Sequence, residues 1–323
     1  MSLKVSNLSK KYGLKTVVEK LDFEITKPGV YALLGTNGAG KTTSIRMILG
    51  MLSRDSGEVM WGSAPFSLDA CNVGYMAEER GLYPKYTLLD QLIYFAGLRG
   101  LSKSEAEKRI DYWAERLEVG EYIYPASALI TALTGGPKVS RAKPQKPMKA
   151  DQLSKGNQQK IQFMVTLLSD PELLILDEPL SGLDPVNTDL FKSIIREEID
   201  KGKYLIMSSH QMATVEEFCT DMTILSRSKT VLQGNLNEIK KSYGRVNLSL
   251  KTEQDATQYI TASGARILTS KENEYEIKVD GDAQANALLC ALVQNNVNIV
   301  TFDLREPSLH EIFVETVGGR EDE

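Results

Sequence analysis

Eight residues constrain this chain more than any others. Gly35-Thr36-Asn37-Gly38-Ala39-Gly40-Lys41-Thr42 has the spacing Gly, four residues, Gly-Lys-Thr. It lies between an apolar run at 30–34, which predicts a buried strand, and a helical stretch at 42–49. Glycines let the backbone wrap closely around an anion, so that N–H groups converge on phosphate oxygens. A helix that starts there adds its positive end. Lys41 is suited to neutralise β- and γ-phosphates, and the Thr42 hydroxyl to ligate Mg²⁺. Thr43 follows in the first helical turn. A glycine-rich turn that binds nothing is the alternative, and the flanking strand and helix weigh against it.

A second apolar run, 173–176, ends in Asp177-Glu178-Pro179. In a parallel sheet, strand ends of this kind face the ligand crevice. There Asp177 can hold Mg²⁺ through its water shell, and Glu178 can orient and polarise an attacking water. Further strands are expected at 3–5, 17–25, 204–207 and 222–225. Helices are expected at 158–168, 188–199 and 212–218, and 88–117 is mostly helical. Strands alternating with helices predict an α/β fold with a mainly parallel sheet. Residues 122–149 carry Pro125, Pro137, Pro144 and Pro147, five cations and no acid, and read as an irregular basic loop.

A boundary is expected at 240–243. Beyond it the pattern runs strand 245–250, helix 255–262, strands 265–270 and 274–279, helix 283–295, strand 298–304. That β-α-β-β-α-β order predicts a small α+β ferredoxin-like domain, followed by a last helix at 308–316.

The 323 residues are 42% hydrophobic and 25% charged, a globular composition. The N-terminus does not read as a signal peptide, and no apolar run is long enough to cross a bilayer. If membranes matter, another polypeptide must cross them. The net charge of -5 weakens a nucleic-acid reading, and no nucleic-acid partner is expected. Cys71, Cys219 and Cys290 are odd in number and far apart, and read as free thiols.

Four more motifs complete a recognisable set. They are Leu153-Ser154-Lys155-Gly156-Asn157-Gln158-Gln159, Ser181-Gly182-Leu183-Asp184, Ser208-Ser209-His210, and Tyr12 in Lys10-Lys11-Tyr12-Gly13. With the glycine loop and the carboxylate pair, in this order, they resemble the nucleotide-binding subunits of ATP-binding cassette (ABC) transporters over nearly all of residues 1–240. The resemblance implies a P-loop NTPase cassette with an antiparallel N-terminal β part and a helical subdomain at about 80–168. The accessory domain would then occupy 243–317. It also implies roles. Residues 35–43 and Tyr12 would hold ATP. Ser154, Lys155, Gly156 and Asn157, with Asp184, would meet the ATP of a second subunit. Thr42, Asp177 and Glu78 would serve Mg²⁺. Lys41, Glu178 and His210 would carry the hydrolysis. The implied partners are a second ATP-binding subunit, the same or different, and a separate polytopic permease. The implied location is cytoplasmic, on the inner face of the cell membrane.

A narrower resemblance, to exporter-type cassettes related to sodium-efflux ATPases, rests on residues 78–84, the Ser-Lys-Gly-Asn-Gln-Gln signature, residues 208–212 and the tail at 306–309. Three departures stand out. Glu78 replaces a glutamine, Lys155 replaces a glycine and is expected to be exposed, and 122–149 is longer than usual. Residues 79–100, with Leu82, Tyr83, Tyr86, Leu88 and Leu89, are candidates for docking the permease. His310 reads as a surface or packing residue. The competing functions are a cassette acting on ribosomes or DNA and a nucleotide switch that barely hydrolyses.

Overall fold

A computed structural model describes residues 1–79, 81–124 and 148–318. Most of the basic stretch expected at 122–149 therefore lies outside the described residues.

Ten strands form the large sheet. They are β1 (Leu3–Tyr12), β2 (Lys15–Ile25), β3 (Gly29–Gly35), β4 (Ser56–Trp61), β5 (Ala64–Pro65), β6 (Val73–Met76), β7 (Leu173–Asp177), β8 (Tyr204–Ser209), β9 (Cys219–Ser226) and β10 (Lys229–Asn235). Their order is β5-β4-β1-β2-β10-β9-β3-β8-β7-β6. The β1, β2, β4 and β5 side is antiparallel, and the β3-β8-β7-β6 side is parallel. This is the α/β cassette expected from the sequence.

Strands β3, β7 and β8 are buried at every position, as parallel strands covered on both faces must be. Their register aligns Leu34 with Ser209 and Asp177 with Ser208. The carboxyl ends of three neighbouring strands thus lie side by side, and they carry Gly35, Asp177-Glu178 and Ser209-His210. Each fully buried Leu or Ile in these strands contributes roughly 1.5–3 kcal/mol of transfer energy to the floor beneath the site.

β1 runs further than its apolar residues suggest. Leu3, Val5 and Leu8 all point inward, although Val5 and Leu8 are three apart. Asn7, at φ 51°, takes up the extra residue, and its N–H donates to Asp22 Oδ1 at 2.7 Å. A left-handed Asn absorbs such a bulge at little cost.

The helices carry clear start signals. Lys103–Arg116 begins with a capping box between Ser102 and Glu105. Pro185–Asp200 begins with Asp184 as cap and Pro185 in the first turn. Helix Lys155–Leu167 is capped by Ser154, whose hydroxyl accepts from Asn157 N–H at 3.2 Å.

By compactness the chain divides into residues 1–210 with 225–230, and residues 211–224 with 231–323. In the second unit, β11 (Asn247–Thr252), β12 (Arg266–Lys271), β13 (Glu274–Lys278) and β14 (Ile299–Arg305) form an antiparallel sheet in the order β12-β13-β11-β14. Helices Thr257–Ala262 and Asp282–Gln294 supply Ile260, Leu288 and Leu292 to one core with Leu248, Leu250, Tyr275 and Ile277. This is the expected ferredoxin-like arrangement. Helix Leu236–Tyr243 and strands β4, β5, β6 and β10 are elements the sequence did not announce.

Among the described residues, no helix is long and apolar enough to cross a membrane.

Candidate active site

The glycine loop leaves β3 at Gly35 and enters helix Lys41–Ile48 at Gly40. Gly40 has φ 109°, and an added Cβ there would sit 2.6 Å from the Val17 carbonyl oxygen. Any side chain would collide with backbone and strain the loop. No side chain caps the helix start, so its first N–H groups remain available to an anion. An open cleft of about 450 Å³ lies over this loop. It is lined by Asn37, Gly38, Gly40, Lys41, Thr42 and Thr43, with Lys15 and Val17 on one side and Glu78 completing the wall.

Lys41 is only 6% exposed. Its ammonium donates to the Gly35 carbonyl at 2.8 Å and lies 3.4 Å from Glu178 Oε1. The second contact is an ion pair without a directed hydrogen bond, and Glu178 Oε1 has no hydrogen-bond partner. Glu178 Oε2 lies 2.9 Å from His210 Nδ1. An ionised carboxylate can only accept, which assigns the proton to Nδ1 and leaves Nε2 unused by this contact. Glu178 itself is 5% exposed and sits at φ 50°. For a non-glycine residue that backbone costs on the order of 1–2 kcal/mol.

Two groups hold Glu178 in this conformation: its N–H donates to Ser208 Oγ at 3.1 Å and to the Ser208 carbonyl at 3.2 Å. The same Ser208 hydroxyl donates to Asp177 Oδ1. Ser208 is thus a shared anchor for both acids. Its Ser-Ser-His motif was visible in the sequence, but its partners come only with the β7–β8 register.

Asp177 is 1% exposed, and its Oδ2 has no hydrogen-bond partner. A buried carboxylate oxygen without a donor is costly, and a hard cation would satisfy it. Thr42 and Glu78, the latter exposed, line the cleft and carry oxygens of the kind such a cation takes. Among the described residues no three His, Cys, Asp or Glu side chains cluster as a metal cage. The Asp177, Thr42 and Glu78 oxygens are nonetheless of the kind that fits Mg²⁺.

The remaining sequence-predicted residues are not among those that line this cleft. Tyr12 is 53% exposed at the end of β1, with the Lys10 ammonium 5.6 Å from its ring centroid. Ser154 and Lys155 are exposed, and Gly156 and Asn157 half-buried, at the start of helix Lys155–Leu167. A Cβ on Gly156 would come no closer than 3.8 Å to its nearest neighbours, Leu183 and Asn187. Asp184 caps the next helix and accepts from Asn187 N–H at 2.9 Å; that backbone bond, first among several, holds its carboxyl below the usual value. None of these residues lines the Lys41 cleft.

Sequence reasoning missed two ties between these parts. Gln159 donates to the Pro179 carbonyl at 2.6 Å, and Gln162 donates to the Ala77 and Glu79 carbonyls at 2.7 and 3.2 Å. The helix that begins at Ser154 is thereby bonded to the segments that follow β7 and β6. The thiols of Cys71 and Cys219 are buried and each pushed up to about 12, chiefly by burial. They are inert, and the third cysteine is also free.

Of the docking candidates, Leu88 is wholly buried and belongs to the core. Leu82 lines a groove of about 610 Å³ with Tyr75, Ala77, Phe95, Leu98 and Gln162.

A glycine loop at a helix start, a buried lysine and two acids at the adjoining strand end define a P-loop nucleoside-triphosphatase. Residues 18–181 match the family model for the ABC transporter, and residues 234–317 match that of the DrrA1-3-like ATP-binding protein C-terminal domain. An uncharacterised ABC transporter ATP-binding protein of Bacillus subtilis, YhaQ, is 40% identical over 98% of this chain and 99% of its own. The linearmycin resistance ATP-binding protein LnrL of the same organism is 28% identical over 98% of each. A solved ATP-binding subunit of an ABC transporter superposes with a TM-score of 0.62 at 26% identity, covering 75% of this chain and 93% of that one. An ATP-binding cassette in its ADP conformation, 19% identical with a TM-score of 0.58, shares the fold over 75% of this chain and 94% of its own.

The chain belongs to the ABC transporter ATP-binding subunits, a family that binds and hydrolyses ATP.

Proposed function

We propose that this chain is the ATP-hydrolysing half of an exporter, closing as a head-to-tail dimer around two Mg·ATP and driving a separate membrane permease. The observation that carries the hydrolytic reading is the buried Glu178, held between Lys41 and His210 in a strained backbone conformation.

ATP entering the cleft draws Lys41 to its β- and γ-phosphates, together with the free N–H groups of the loop. Glu178 then loses its cationic neighbour and is free to accept a proton from water. His210, donating through Nδ1, fixes the carboxylate and keeps Nε2 for the water or the γ-phosphate. Asp177, Thr42 and Glu78 would hold Mg²⁺, which supplies charge neutralisation at the β- and γ-phosphates.

Ser154, Lys155, Gly156 and Asn157 open a helix away from their own chain's cleft. The N–H groups of Lys155 and Gly156, unlike that of Asn157, which the Ser154 hydroxyl holds, make an anion site of their own, and we assign it to the γ-phosphate held by the second copy, with Asp184 beside it and Tyr12 stacking on the adenine. ATP then joins two copies, and loss of the γ-phosphate releases them. The Gln159 and Gln162 bonds link that helix to Pro179 and to the 77–79 segment, so closure at the seam is felt at the groove where we place the permease. We assign the nucleotide-binding part to residues 1–240 and the accessory part to 243–317.

Export is supported by the printed functions of relatives, linearmycin resistance for one and Nod factor export for another, the latter from Ralstonia nicotianae at 29% identity over 73% of this chain. The separate permease is supported by the lack of any membrane-length apolar helix among the described residues.

Light scattering on the Glu178→Gln protein tests the dimer. Mass should double on adding Mg·ATP and return to one copy on adding Mg·ADP. A constant mass in both would end the head-to-tail reading.

A further inference from the structure

A third pocket, of about 440 Å³, opens on the first unit. Its walls are Tyr83, Tyr86, Asp90, Gln91 and Tyr94. The three tyrosines are 48%, 64% and 52% exposed, which is a large aromatic surface to leave in water. Tyr83 and Tyr86 stand at 69° with centroids 5.9 Å apart, and Tyr83 and Tyr94 at 66° and 6.5 Å. Phe95 stacks on Tyr83 at 6° and 5.9 Å, which backs that ring against the protein.

The pocket is preformed. Gln91, 3% exposed, accepts from Tyr83 N–H at 2.7 Å and donates to the carbonyls of Tyr83 and Tyr86, both at 3.0 Å. One buried amide thus fixes the loop to helix Leu88–Leu98. Asp90 lies one turn before Tyr94 on that helix. Its Oδ2 accepts the Thr87 hydroxyl, and its Oδ1 has no hydrogen bond among the described residues. Lys85, the cation of the loop itself, is exposed and does not line the pocket.

Ring faces attract cations, and a carboxylate at the rim adds charge. An anion would be repelled, and a neutral apolar group would leave Asp90 unused. A quaternary ammonium could use the rings only. A guanidinium uses both elements, stacking flat on a tyrosine and donating N–H bonds to the carboxylate.

We propose that Tyr83, Tyr86, Tyr94 and Asp90 form a receptor for a guanidinium group, supplied by an arginine of a partner polypeptide. The assignment to a polypeptide rests on the proposed permease groove: Phe95 lines that groove and backs Tyr83, so one docked chain reaches both. The receptor itself does not depend on that reading.

The test uses the full chain with ring-labelled tyrosine and follows ring resonances by NMR. N-acetylarginine methylamide should shift the resonances of residues 83, 86 and 94 saturably. Its neutral isostere, N-acetylcitrulline methylamide, and tetramethylammonium should bind at least fivefold more weakly. Asp90→Asn, and separately Tyr86→Leu with Tyr94→Leu, should each weaken arginine binding at least fivefold while the denaturation midpoint holds. Equal binding of the citrulline derivative, tighter binding of tetramethylammonium, or no saturable shift would each overturn the receptor. If arginine binds as expected but no membrane protein associates with the chain, the permease reading fails and the receptor stands.

Discussion

Removing the Ser208 hydroxyl should destabilise the empty protein more than the nucleotide-loaded one. Ser208 Oγ donates to Asp177 Oδ1, and Oδ2 has no hydrogen-bond partner. In Ser208→Ala the Oδ1 of a carboxylate that is 1% exposed loses this donor, while Oδ2 has none to begin with. A hydrogen bond to a buried charge is worth about 1.5–3 kcal/mol. The Glu178 N–H keeps the Ser208 carbonyl at 3.2 Å, so it adds little. The expected loss is about 2 kcal/mol without ligand. With Mg²⁺ and nucleotide the cation takes up the carboxylate, and the loss should fall to about 1 kcal/mol or less. Both tryptophans, Trp61 and Trp113, lie in the first unit. Denaturant titration followed by tryptophan fluorescence therefore reports the unit in question. A loss below about 0.5 kcal/mol, or one unchanged by Mg·nucleotide, would refute Ser208 as the anchor and Asp177 as the metal carboxylate.

Two further outcomes follow from the buried charges. Lys41→Ala leaves Glu178 buried without its cation and should cost about 3 kcal/mol. Adding Glu178→Gln to it should recover much of that loss, measured as a double-mutant cycle by the same titration. Asp170, whose carboxyl is held below its usual value first by the Lys203 hydrogen bond, contributes stability that is full above the unfolded value of 3.8. That contribution is lost as pH falls through the lower folded value. Asp170→Asn should therefore flatten the acid limb of stability below about pH 4 and leave its shape at neutral pH unchanged, read from denaturation midpoints across pH.

Local patterns carried much of this structure. The run 173–176 reads as a buried strand, and the glycine loop lies between an apolar run and a helical stretch. The alternation of the C-terminal segment led directly to its four strands and two helices. The elements that escaped are those whose cause is tertiary. β6 contains Gly74, which looks like a loop residue. An added Cβ there would sit 2.5 Å from the Thr166 carbonyl oxygen, so glycine is required for the packing of helix Lys155–Leu167. β1 hides its inward residues behind the bulge at Asn7. Ser208 shows its importance only when β8 is placed in register with β7. Leu88 stood among the docking candidates as an apolar residue of 79–100, and its burial is a property of what packs over it.

ATP turnover of Glu178→Gln beside the wild type tests the central claim most directly, with nucleotide binding measured on both. A general base contributes on the order of 10²–10⁴ in rate. The variant should therefore bind ATP as tightly as the wild type while hydrolysing it at least a hundredfold more slowly. Equal turnover rates would show that the carboxylate between Lys41 and His210 does not activate the water.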